Sequence, residues 1–237
     1  GDSLPDLVFI SNRNGGAVYR NLGDFRFQDV TAKSGFGLGA TWATGVSMAD
    51  VNADGHLDIH VCASGPAERA ASTRRNLLFI NDGKGHFTEQ AAERGLDRTG
   101  HSTMAYFADL DGDVDLDCFI VGHRNDFQTI RQVIIDPRFL PVHDQSDRLY
   151  INDGTGHFTD RTVESGVASR RFGLAAAIGD VNGDGRNDIY VSNDFYSADQ
   201  LLMNTGNDPK TGAPVFRDEA LQQLSHLSYY SMGVDIA

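Results

Sequence analysis

The sequence predicts an all-β fold, a β-propeller built of four-stranded antiparallel blades, with about four blades present. Three observations lead there. An acidic nine-residue stretch recurs in register, a strand–turn–strand motif alternates with it, and the interval from the second motif to the next acidic stretch is nearly constant. Four strands in each repeat of roughly 50 to 70 residues is the arithmetic of propeller blades. A β-sandwich, the main rival, predicts no such internal repeat.

The acidic stretch reads "DVNADGHLD" from Asp50 to Asp58, "DLDGDVDLD" from Asp109 to Asp117 and "DVNGDGRND" from Asp180 to Asp188. The opening "GDSLPD" matches the back half of a fourth copy, with Asp2 in its fifth position and Asp6 in its ninth. The second motif appears as "GAVYRNLGDFRFQDVTAKSGF" from Gly16, "NLLFINDGKGHFTEQAAERGL" from Asn76, "DRLYINDGTGHFTDRTVESGV" from Asp147 and a looser "QLLMNTGNDPKTGAPVFRDEAL" from Gln200. Each reads as a strand, a Gly-rich tight turn, a strand and a short polar or helical segment.

Spacing orders these motifs into one domain, 1–237, with units of about 1–49, 50–108, 109–179 and 180–237. From the turn Asn to the next acidic stretch the interval is 29 residues (Asn21 to Asp50), then 28 (Asn81 to Asp109) and 28 (Asn152 to Asp180). From the last Asp of each acidic stretch to the following turn Asn it runs 15, 23, 35 and 16 residues, so the length variation is concentrated there. The final "MGVDIA" matches "VSMAD", the approach to Asp50. The expectation is a fragment of a longer array, with further blades needed to close a ring.

Within a repeat, the run before the acidic stretch is rich in small residues ("ATGVSMA", "TMAYFA", "GLAAAIG"), as the crowded innermost strand around a channel requires. The run after it alternates ("LDIHVCAS", "LDCFIVG", "NDIYVSN") and leads to the hairpin pair.

Composition narrows the function classes. The chain is 40% hydrophobic and 22% charged, ordinary for a globular domain. A formal charge of -13, from 33 acids and 20 bases, argues against nucleic acid and against an anionic membrane as partner. No apolar run approaches the roughly 18 residues of a membrane-spanning helix. Cys62 and Cys118 form neither a disulfide framework nor a C-x-x-C metal site and read as small core residues.

The acidic stretch has the chemistry of a cation cage. A hard cation takes six to eight oxygens, and a loop with side chains at positions 1, 3, 5 and 9 and a carbonyl at 7 can wrap one. Glycine at position 6 lets the backbone turn sharply. An EF-hand would need Glu at position 12, where Val61, Ile120 and Val191 stand in strands. Magnesium demands tighter octahedral geometry and keeps more water, so calcium is the expected ion. The bland alternative, a solvated acidic turn, does not account for three aligned copies.

The D-x-[DN]-x-D-G-x-x-D loop between strands, alternating with "NDGxGHFT" hairpins, resembles the FG-GAP/VCBS repeat family, known from the calcium-bearing propeller of integrin α chains. "NDGTGHFTDRTVESGV" and "GDVNGDGRNDIYVSND" are similar to secreted bacterial proteins like cartilage acidic protein, which often carry an ASPIC/UnbV module. The resemblance covers essentially the whole chain. It implies a propeller, commonly seven-bladed, exported to the periplasm, cell surface or medium and used for adhesion or recognition, with two to three calcium sites in this segment.

Carried over by position, Asp50, Asn52, Asp54 and Asp58 are side-chain ligands, with the His56 carbonyl completing the set. Asp180, Asn182, Asp184, the Arg186 carbonyl and Asp188 repeat it. Asp109, Asp111, Asp113, the Asp115 carbonyl and Asp117 form the middle set, in which Val114 replaces the glycine. A β-branched residue is costly at positive φ, so this loop ranks third as a site. Asp2 and Asp6 are half a site.

The variable second-to-third-strand connections lie on the face opposite the acidic loops, where an unknown protein or glycan ligand is expected to bind. The longest, His123 to Asp147, reads as a short helix capped by Asp126 and stopped at Pro137. No catalysis is expected. "FADLDGD" resembles an aspartyl-phosphate motif, but it is one copy of a repeat, and Ser47 in "GVSMA" runs into the acidic loop rather than a helix. The enzymatic alternative is the propeller part of a calcium-dependent polysaccharide lyase or hydrolase.

Overall fold

The computed structural model describes residues 4–13, 15–66, 68–125, 144–195 and 197–236. They form one three-stranded and three four-stranded antiparallel sheets. The first contains β1 (Leu7–Phe9), β2 (Ala17–Asn21) and β3 (Phe27–Asp29); the second, β4 (Ala43–Ala49), β5 (Asp58–Ala63), β6 (Leu77–Asn81) and β7 (Phe87–Glu89). The third contains β8 (Ser102–Ala108), β9 (Asp117–Gly122), β10 (Arg148–Asn152) and β11 (Phe158–Asp160), and the fourth β12 (Gly173–Gly179), β13 (Asp188–Asn193), β14 (Gln200–Asn207) and β15 (Pro214–Asp218). In each four-stranded sheet the strands are paired in chain order, a simple meander. The chain is therefore all-β and has the architecture of a partial propeller.

The blades do not coincide with the sequence units. Each acidic loop sits between the first and second strands of its blade, so a unit that begins at the loop opens on the second strand of one blade and ends on the first strand of the next.

The small-residue strands β4, β8 and β12 run side by side across the three blades. Gly45 shows why they must be small: a Cβ there would overlap the carbonyl oxygen of Thr103 on β8. The Thr44 hydroxyl donates to the Ser102 carbonyl at 2.7 Å, and the Ala176 N–H donates to the Tyr106 hydroxyl at 2.8 Å, tying these strands together.

Alternating apolar residues on the middle strands form the blade-to-blade layers. Ile59, Val61 and Phe79 pack with Val18 of the first sheet and with Phe36 and Leu38, which lie between that sheet's last strand and β4. Cys62 and Leu78 meet Cys118, Ile120 and Tyr150 across the next gap, and Phe119, Val121 and Leu149 meet Ile189, Val191 and Leu202 across the third. Each buried aliphatic side chain contributes roughly 1.5–3 kcal/mol, and successive residues of one strand serve opposite neighbours because the strand period is two. Both cysteines are buried and unbridged within one such layer, and burial pushes their thiols well up from the ordinary range.

Short helices follow three of the hairpins, α1 (Thr31–Ser34), α2 (Ala91–Arg94) and α3 (Ala220–Gln223). The helix expected between Asp126 and Pro137 lies outside the described residues. No helix among the described residues is long and apolar enough to cross a membrane.

Candidate metal centres

The three acidic loops join β4 to β5, β8 to β9 and β12 to β13, and all lie at the same end of their blades. The first Asp of each gathers backbone N–H groups. Asp50 Oδ2 accepts from Gly55 at 2.8 Å and Oδ1 from Asp54 at 3.0 Å. Asp180 repeats this with Gly185 at 2.8 Å and Asp184 at 3.1 Å, and these donors hold its carboxyl below the usual range. Asp109 accepts from Gly112 at 2.7 Å and Val114 at 3.1 Å.

The ninth position has a second role that sequence reasoning missed. Asp58, Asp117 and Asp188 are fully buried. One oxygen accepts the N–H of loop position 2: Val51 at 3.2 Å, Leu110 at 2.9 Å and Val181 at 3.1 Å. The other accepts the turn Asn of the hairpin: Asn81 at 2.8 Å, Asn152 at 3.0 Å and Asn204 at 2.8 Å. Asp6 does the same with Asn21 at 2.8 Å, whereas Asp2 lies outside the described residues. The rigid co-occurrence of that Asp and that Asn in every repeat was the available signal. At the opposite blade end, Asn76, Asp147 and Asp199 also pin strand to strand, accepting from Ala63 at 2.9 Å, Gly122 at 2.8 Å and Asn193 at 2.7 Å. Burial lifts Asp147 to about 7.

The loops differ in how far they neutralise themselves. In the second blade the Asn52 amide donates to Asp54 at 3.1 Å, and in the fourth the Asn182 amide donates to Asp184 at 2.9 Å. The Arg186 guanidinium also pairs with Asp184 and reaches the Asn204 carbonyl at 3.1 Å. In the third blade Asp111 replaces the asparagine, so that amide is missing. Oxygens of Asp109, Asp111 and Asp117 come within 4.8 Å of one another, and this trio could hold a metal ion.

The electrostatics of this loop are those of a cage short of positive charge. Asp117 is raised to about 7, chiefly by burial and further by Asp111 and Asp115. Asp111 and Asp115 are each raised to about 6, by burial first and then by Asp113. Asp115 was expected to offer its carbonyl alone; its carboxyl group lies outside the converging trio but feels the charges of Asp113 and Asp109, and its Oδ1 is buried and without a hydrogen-bond partner. An orphaned carboxylate oxygen among raised carboxyl groups fits a hard cation, and calcium with its flexible coordination suits such a set.

The backbone strain expected of this loop is present. Val114 does occupy the strained conformation, at φ 79°, beside 87° for Gly55 and 84° for Gly185. Among the described residues, its loop is nonetheless the one in which three carboxylates converge.

These features define a class, a blade array with acidic strand-to-strand loops, one of which converges three carboxylates that could hold a metal ion. The FG-GAP-like repeat matches residues 1–61 and 139–191, and the FG-GAP repeat matches residues 172–214. The chain thus carries FG-GAP repeats, a repeat type that typically binds calcium. No curated protein matches it.

Proposed function

We propose that the chain is part of an exported, calcium-stabilised propeller that acts as a protein or carbohydrate recognition module, similar in role to adhesion propellers and free of catalysis in this segment. The observation that carries the reading is the division of labour between blade ends. One end bears acidic loops suited to calcium, while the other bears connections whose length changes from blade to blade. A rigid scaffold with variable loops on one face suits recognition. Extracellular modules bind calcium with Kd on the order of 10⁻⁴ to 10⁻³ M, which favours a calcium-rich compartment outside the cytosol.

The variable end also carries the side chains such a face would use. Trp42, just before β4, has the Arg69 guanidinium 4.7 Å from its ring centroid. Aromatic and arginine side chains are enriched where interfaces carry their energy. The finer assignment to propellers like cartilage acidic protein rests on the hairpin and loop motifs.

The test is retention of the chain on a panel of immobilised polysaccharides and extracellular-matrix proteins, with calcium and with chelator. The reading expects calcium-dependent retention on a probe, lost in Trp42→Ala while unfolding is unchanged. Retention that survives Trp42→Ala and every other substitution on that face would contradict it, and release of oligosaccharide products would favour the lyase or hydrolase reading instead.

A further inference from the structure

We propose that Asn187, Asn204 and Asn207 of the fourth blade are positioning residues for the cation site of the third, so that the Asp109–Asp117 loop works as a site only when the next blade is docked. The proposal rests on the calcium reading above.

Three side-chain amides from the fourth blade donate to three consecutive carbonyls of the third blade's loop. Asn187 Nδ2 reaches the Asp109 carbonyl at 2.8 Å, Asn204 Nδ2 the Leu110 carbonyl at 2.9 Å and Asn207 Nδ2 the Asp111 carbonyl at 2.7 Å. A hydrogen bond to a carbonyl fixes its peptide plane, and with it the direction in which the flanking side chains leave the backbone. Asp109 and Asp111, two members of the converging trio, are the residues so fixed. Partners of this kind behind metal ligands typically contribute 10–100-fold to affinity.

The middle bond recurs one blade earlier: Asn152 Nδ2 donates to the Val51 carbonyl of the second blade's loop at 2.9 Å. The outer two do not. The position of Asn187 is Leu57 in the second blade and Leu116 in the third, neither able to donate. Asn207 stands in a hairpin that runs from Asn204 to Phe216, six residues longer than Asn152 to Phe158. Two departures of the fourth blade from the repeat thus land on the one loop that carries five acids and a strained Val114. That loop has the most repulsion to overcome and receives the most external support.

Calorimetric titration of the full chain with calcium tests this, alongside Asn187→Leu and the double variant Asn187→Leu/Asn207→Ala, with thermal unfolding of each in chelator. Asn187→Leu installs the residue of the other blades and keeps the test available should the double variant fold poorly. The expected result is that one class of site weakens about tenfold, the others are unchanged and unfolding in chelator stays put. Unaltered calcium affinity, or a loss of chelator-state stability with no change in affinity, overturns the proposal while leaving the calcium reading standing. Failure of the unsubstituted chain to bind calcium at millimolar concentration removes the calcium reading, and this inference with it.

Discussion

Asp117 Oδ1 accepts the backbone N–H of Asn152 at 3.0 Å across 35 positions of sequence. The same pairing joins Asp58 to Asn81 and Asp188 to Asn204. A residue that reads as a metal ligand is therefore also the link between the acidic loop and the hairpin of its own blade. The two roles separate by experiment.

Asp188→Ala leaves the N–H groups of Val181 and Asn204 without their acceptor. Each buried orphan costs about 1–3 kcal/mol, so the variant should lose about 2–4 kcal/mol even in chelator. Asp184→Ala, at an exposed position of the same loop, should lose mainly the calcium-dependent part. Denaturant unfolding with and without calcium checks both; equal losses in chelator would contradict the distinction.

Val114→Gly should stabilise the third blade's loop. Val114 is 87% exposed and holds φ at 79°, so the substitution removes strain of about 1–2 kcal/mol without opening a cavity. A rise in the chelator-state unfolding temperature is expected, and a fall would show that the valine makes contacts that offset its strain.

Acidity should act in opposite directions on the empty and loaded protein. Burial, with the neighbouring carboxylates, raises Asp111 and Asp115 to about 6 and Asp117 to about 7, from the ordinary 3.8. A raised carboxyl contributes stability that is fully present below its unfolded value and lost as pH rises through its folded value. The metal-free protein should thus lose this contribution between about pH 4 and about pH 7. Calcium needs the ionised groups, so its affinity should climb over about pH 6 to 7 with proton release. Calorimetry in buffers of different ionisation enthalpy reads the protons directly.

Arg186→Met should strengthen the fourth blade's site. The guanidinium pairs with Asp184 and competes with any cation there, while the expected ligand at this position is a backbone carbonyl that the substitution retains. A several-fold rise in affinity at one site is expected; an unchanged or weaker site would mean that the arginine leaves on binding at no cost.

Much of the fold was legible because repetition reinforces weak local signals. "ATGVSMA" became β4 and "GLAAAIG" became β12 with those bounds, since small residues are required where inner strands approach. What stayed hidden depends on distance. The Asn204 amide meets Leu110 across 94 positions, and nothing local to either residue announces it. Val114 was read correctly as strained, whereas the convergence of Asp109, Asp111 and Asp117 could not be read from spacing alone. The extra carboxylate at position 111 was weighed against that strain, but the loss of the amide that donates to the fifth position in the other two loops shows only in the structure.

The most direct measurement is thermal unfolding of the full-length protein in chelator, in millimolar calcium and in millimolar magnesium. Binding to the native state raises stability by mass action, about 2.7 kcal/mol for each site at a hundredfold excess over Kd. The account predicts a clear rise with calcium and little with magnesium. No shift at calcium concentrations well above millimolar would mean that the acidic loops are hydrogen-bonded turns and nothing more.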